Sequence, residues 1–260
     1  MTQEHGLWAR GTRALGGMLA LTVALGGCAA GPAASSPTRA EKQTVTVFAA
    51  ASLTAAFTEI AELDPNLEVR YTFDGSPTLV DQIKGGAPAD VLATADQATM
   101  TKALDAQLVQ PDPTMFATNV GVLIVPQGNP GGITGLDASL DGKKLVMCAP
   151  AVPCGAVAVN LAKEAGVTLK PVSEEQKVTD VRGKVASGEA DAGIVFSTDA
   201  KAAGDVVETL ELAGAANHAT RYPISPVTAS QNQAAAQAFI DLVTSAKGRA
   251  VLTEYGFGTP

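Results

Sequence analysis

The chain has 260 residues, 46% of them hydrophobic, and its 26 Asp and Glu outnumber 18 Lys and Arg to give a formal net charge of −8. That balance excludes nucleic acid as a partner, because phosphate backbones are gripped by basic patches. It also leaves enough apolar material for one large lobe or two small ones.

At the N-terminus, Arg10 and Arg13 precede an apolar, small-residue run over 14–25 that is too short to cross a bilayer. It reads as a signal peptide occupying 1–27. Leu25-Gly26-Gly27-Cys28 closes the run and resembles a lipobox, in which the cysteine accepts a diacylglyceryl group. Cys28 is then the mature N-terminus, held by two acyl chains to the extracytoplasmic face of the cell membrane. A secretory signal with an incidental cysteine is the competing reading. Residues 28–41 are rich in Ala, Ser, Pro and Gly without apolar periodicity and read as a flexible linker. The rest of the sequence holds no apolar run of membrane-spanning length.

From 42 onward, short β-branched runs alternate with helical patterns, which argues for sheets covered by helices. Strands are expected at 44–48, 67–73, 90–93 and 119–125, and helices at 52–61, 77–84 and 97–106. A Gly/Pro-rich stretch over 126–135 reads as a lobe boundary. The alternation restarts with strands at 144–148 and 192–196 and helices at 155–165 and 181–187. Pro223 and Pro226 punctuate a second extended crossing, and 231–246 reads as a long helix. The expected architecture is α/β with two lobes, 42–125 plus 226–260 and 126–225, each a sheet flanked by helices, with a ligand cleft between them.

Cys148 and Cys154 lie close together in a compartment where disulfides persist, and they are expected to pair; two buried free thiols are the alternative. Enzymatic motifs are scarce. With Met1–Cys28 set aside, His218 is the single histidine, so neither a multi-histidine metal site nor H-E-x-x-H is available. G-x-S-x-G and S-x-x-K are both missing from the sequence.

Small and hydroxyl residues instead gather where strands pass into helices: Ala49-Ala50-Ala51-Ser52, Gly75-Ser76-Pro77, Val152-Pro153-Cys154-Gly155 and Thr179-Asp180-Val181-Arg182. Ser76 reads as an N-cap, with Pro77 at the first helical position. Each junction taken alone is explained by helix capping. Together they place four helix N-termini at one cleft, a setting for an anion. Because the chain is acidic overall, local dipoles and not its net field must hold such a ligand.

Val47-Phe48-Ala49-Ala50-Ala51-Ser52-Leu53, Phe73-Asp74-Gly75-Ser76, Gly86-Ala87-Pro88-Ala89-Asp90-Val91, Asp180-Val181-Arg182, Gly193-Ile194-Val195-Phe196 and Tyr255-Gly256-Phe257 resemble, in order, the molybdate-binding proteins of molybdate ABC transporters. The resemblance implies a periplasmic-binding-protein-like fold that takes molybdate or tungstate with no cofactor and no cation site. It implies a monomer that delivers the oxyanion to an ABC permease. It also implies a ligand set: hydroxyl and N–H from Ser52 and Ser76, and backbone N–H from Cys154 and Val181. The fifth position, usually a tyrosine, is Phe196 here, which cannot donate; Ser197, Thr198 or a water are the substitutes on offer. Arg182 reads as one half of a helix-surface ion pair. Sulfate or phosphate binding, with Asp74 as acceptor for a protonated anion, remains a reading of the same features, as does a lipid-anchored hydrolase.

Overall fold

A computed structural model describes residues 42–260. The proposed signal peptide, the linker and Cys28 lie outside the described residues. The chain runs β1 (Gln43–Ala50), a 3₁₀ turn (Ala51–Leu53), α1 (Thr54–Glu62), β2 (Leu67–Asp74), α2 (Ser76–Lys84), β3 (Val91–Ala93), α3 (Gln97–Asp105) and β4 (Thr114–Asn119). It continues with β5 (Gly121–Pro126), β6 (Leu145–Cys148), α4 (Pro153–Ala165), β7 (Ser173–Glu175), α5 (Val178–Ala186), β8 (Ala192–Phe196), α6 (Ser197–Ala203) and β9 (Val207–Leu210). The last elements are β10 (Thr220–Pro226), α7 (Gln233–Thr244) and α8 (Ala246–Glu254).

Two five-stranded sheets result, ordered β2-β1-β3-β10-β4 and β7-β6-β8-β5-β9. In each, three strands are parallel, and the strand next to them runs antiparallel. Side-chain alternation along β1 explains how the first sheet is covered on both faces. Val45, Val47 and Ala49 join a cluster with Phe57 and Ile60 of α1 and Phe239 of α7. Phe48 points the other way, into a second cluster with Leu79 of α2 and Met100 of α3. The described residues lie in a single compact unit, and none of their helices is long and apolar enough to cross a membrane.

The sheets exchange the chain earlier than the sequence suggests. β4 belongs to the first sheet and β5 to the second, so the first crossing is Val120 alone. The return lies between Leu210 and Thr220, and β10 is already part of the first sheet. The expected boundaries at 126 and 226 therefore fall at the far ends of β5 and β10. At Val120 the chain passes from β4 directly into β5, so that crossing carries no turn signal. The Gly/Pro-rich stretch over 126–135 is a connection within the second sheet's own lobe. The long C-terminal helix expected over 231–246 stops at Thr244, because Ser245 is extended and its side chain accepts from Gly248 N to start α8.

Candidate functional site

The carboxyl ends of β1, β2, β6, β7 and β8 point at one another across the two lobes, the usual place for a ligand in open α/β sheets. There Ala50–Ser52, Asp74–Ser76, Val152–Cys154, Ala95, Val178 and Phe196 line a narrow cleft with a cavity volume of about 10 Å3. That is below the roughly 300–1,000 Å3 of a typical organic-ligand pocket. Among the described residues no Lys, Arg or His lines it, and Asp74 is its single carboxylate.

Its charge character comes from the backbone. The 3₁₀ turn at Ala51, α2, α4, α5 and α6 all begin at this pocket, and none has a side-chain cap. By contrast α3 and α8, which begin elsewhere, are capped by Asp96 and Ser245. α7 also starts without a cap, so the pattern is a concentration and not a rule. An uncapped start leaves N–H groups for an anion to meet, except that in α6 the Ser197 N–H already donates to Val120 O at 2.9 Å, and each helix dipole adds about 0.3–1 kcal/mol.

Ser76 differs in detail from its expected role. Gly75 is the N-cap and Ser76 the first helical residue, with Pro77 second. The Ser76 hydroxyl does not cap its own helix. Its Oγ accepts the Ala95 N–H at 3.0 Å, which leaves its proton free. Ser52 lies in the 3₁₀ turn, its Oγ 2.9 Å from the phenol oxygen of Tyr222. Asp74 also lines the pocket, but its Oδ1 already accepts from Gly75 N at 2.8 Å.

Cys154 occupies the first turn of α4 and lines the pocket. It forms a disulfide with Cys148, with Cα atoms 5.7 Å apart, so the loop between β6 and α4 is closed on itself. Gly155 completes this tight approach, since a Cβ there would overlap the carbonyl oxygen of Ala149. Across the cleft, a Cβ on Gly75 would overlap the carbonyl oxygen of Gln176, just ahead of α5. Absence of a side chain at Gly75 therefore allows the two lobes to touch backbone to backbone.

Two carried-over positions sit differently from the rest. Val181 is fully buried in α5 and packs toward Gly193; the residue of that first turn on the pocket wall is Val178. Phe196 does line the pocket and is the N-cap of α6. Its ring meets Tyr222 edge-on, with centroids 6.1 Å apart. The neighbouring hydroxyls do not replace a phenol there: Ser197 Oγ donates to Asn119 Oδ1, and Thr198 Oγ1 accepts from Asn119 Nδ2. Arg182 Nη1 stands 3.9 Å from Asp199 Oδ1, pairing α5 with α6 outside the pocket wall. Asp199 is buried, which pushes its pKa up to about 7 against the opposing pull of Arg182 and the Phe196 amide.

Sequence reasoning missed Tyr222, Asn119 and Gln176, whose local sequence gives no sign of their nearness to the site. Asp90, which closes the Gly86–Val91 block with Val91, serves the fold. The Asp90 carboxylate accepts from Thr46 N, Ser230 Oγ and Asn232 Nδ2, stapling β3 to the loop before α7.

A two-lobed α/β body with a small, dipole-lined pocket at its strand ends is the architecture of an extracytoplasmic solute-binding protein. Residues 45–258 match the family described as bacterial extracellular solute-binding protein. The molybdate-binding protein ModA of Mycobacterium tuberculosis is 39% identical over 247 residues, covering 92% of this chain and 95% of that protein. ModA of Escherichia coli K12 is 31% identical over 236 residues, covering 84% and 90%. The solved periplasmic molybdate-binding protein of Azotobacter vinelandii superposes with a TM-score of 0.74 at 19% identity, covering 83% of this chain and 99% of that one, a likeness of fold. The chain belongs to the ModA family of bacterial extracellular solute-binding proteins.

Proposed function

We propose that this chain captures molybdate or tungstate between its lobes and delivers it to an ABC permease, as a monomer tethered to the membrane through Cys28. The observation that carries the reading is the concentration of uncapped helix starts and two proton-bearing serines around a pocket with no cationic side chain. A doubly charged tetrahedral oxyanion has acceptors in every direction and no proton to give, so a wall made of donors suits it. The donors in this reading are Ser52 and Ser76, the Cys154 amide, and the first turn of α5 that includes Val178 and Val181. Phe196 contributes shape and no hydrogen bond through its side chain.

Asp74 on the wall is the one feature that favours a protonated anion such as hydrogen phosphate, but its Oδ1 is already engaged by Gly75 N. The same wall offers Ser52 and Ser76 no histidine or lysine as a base, which favours capture over hydrolysis. A thermal-shift panel of molybdate, tungstate, sulfate and phosphate tests the proposal, since a ligand that binds only the folded state raises the melting temperature. Large shifts are expected with molybdate and tungstate and small ones with sulfate and phosphate. Equal shifts with molybdate and sulfate would remove the assignment.

A further inference from the structure

A chain of buried polar groups reaches Ser52 from the crossing between the lobes. Ser52 Oγ lies 2.9 Å from Tyr222 Oη, and Tyr222, fully buried on β10, lies 3.3 Å from Asn119 Nδ2. Asn119 ends β4, immediately before Val120. The Val120 N–H can only donate, and it faces Asn119 Oδ1 at 3.0 Å, so the orientation of the Asn119 amide is fixed. Oδ1 also accepts from Ser197 Oγ, and Nδ2 donates to Thr198 Oγ1 at 2.9 Å and to Tyr222 Oη.

The direction of the next bond follows by elimination. An amide NH2 cannot accept, so Tyr222 Oη accepts from Asn119 and its own proton must go elsewhere. Burial pushes the Tyr222 pKa up, so that proton stays on. Among the described residues the hydrogen-bond partners of the phenol are Asn119 and Ser52, which leaves Ser52 Oγ as its acceptor. With that lone pair occupied, the Ser52 proton is free to point into the pocket. Ser76 reaches the same condition by another route, its Oγ accepting from Ala95 N.

We propose that Tyr222, oriented by Asn119, is a positioning residue that commits the Ser52 hydroxyl to donate to the bound oxyanion. This rests on the pocket reading given above. Without Tyr222 Oη, the Ser52 hydroxyl is free to rotate toward other acceptors, and the loss appears in ligand affinity and depends on Ser52.

The test is a double-mutant cycle of Tyr222→Phe and Ser52→Ala, with molybdate affinity measured by calorimetric titration. Tyr222→Phe keeps the ring that packs edge-on against Phe116, Phe196 and Phe257. It is expected to weaken molybdate binding about tenfold when Ser52 is present, the scale of one hydrogen bond to a charged acceptor. In the Ser52→Ala background it is expected to change nothing further. An unchanged affinity, or the same loss in both backgrounds, overturns the positioning role while leaving the pocket reading intact. A wild-type protein that does not bind molybdate overturns both. If Tyr222→Phe does not fold, proton NMR on the wild type decides: the Tyr222 hydroxyl proton is expected to exchange slowly, to show a nuclear Overhauser effect to the Ser52 β-protons and to shift on saturation with molybdate. A freely exchanging proton, or one that molybdate leaves unmoved, overturns the proposal.

Discussion

Replacing Ser76 with alanine separates what this residue does for the fold from what it does for the ligand. Ser76 is 1% exposed, and its Oγ is the acceptor for the N–H of Ala95, itself 4% exposed. Alanine leaves that buried N–H without a partner, at a cost of about 1–3 kcal/mol. For a domain of this size each kcal/mol lowers the melting temperature by about 2–4 °C, so the ligand-free variant is expected to melt about 2–12 °C lower. The second effect is the loss of a hydroxyl donor to a charged acceptor, about 1.5–3 kcal/mol, or roughly a 10- to 150-fold weaker molybdate affinity. Scanning calorimetry without ligand reads the first number, and titration calorimetry well below the melting temperature reads the second. A lowered melting temperature with an unchanged affinity would show that Ser76 only holds Ala95 and that the hydroxyl does not reach the anion. An unchanged melting temperature would refute the Ala95 bond.

Two further outcomes follow from groups beside the pocket. Asp199, pushed up to about 7 by burial, compares with about 3.9 for an unfolded aspartate, so between those pH values the native state holds a proton that the unfolded state has released. Its contribution makes stability fall as pH rises from about 4 to about 7 and level off above; Asp199→Asn removes this, and its melting temperature relative to wild type is expected to climb over that interval and then plateau. A pH-independent difference would contradict the assignment. The Cys148–Cys154 bridge spans a sequence separation of 6, for which loop-closure entropy gives about 2 kcal/mol. Reduction and alkylation are thus expected to lower the melting temperature by about 4–8 °C and to weaken molybdate binding by loosening the turn that carries the Cys154 amide. Unaltered binding after reduction would detach that loop from the site.

The sequence by itself determined the α/β alternation, the strands at β1, β2, β6 and β8, and the junctions at Ser52, Ser76 and Cys154. These are local matters: β-branched runs, helical spacing, and small or hydroxyl residues where a strand turns into a helix are read within a window of a few residues. The tertiary structure decided what depends on distant partners. Val120 is a crossing only because β4 pairs with β10 and β5 with β8, and no property of valine announces it. Gly75 mattered in the sequence as a helix start; its role at the lobe contact exists because Gln176 comes to meet it. Tyr222 stands 170 residues from Ser52 and 103 from Asn119, so the bonds that orient the Ser52 proton leave no local pattern. Side chains that act through one another obey geometry in three dimensions, and backbone periodicity carries no trace of which of them will meet.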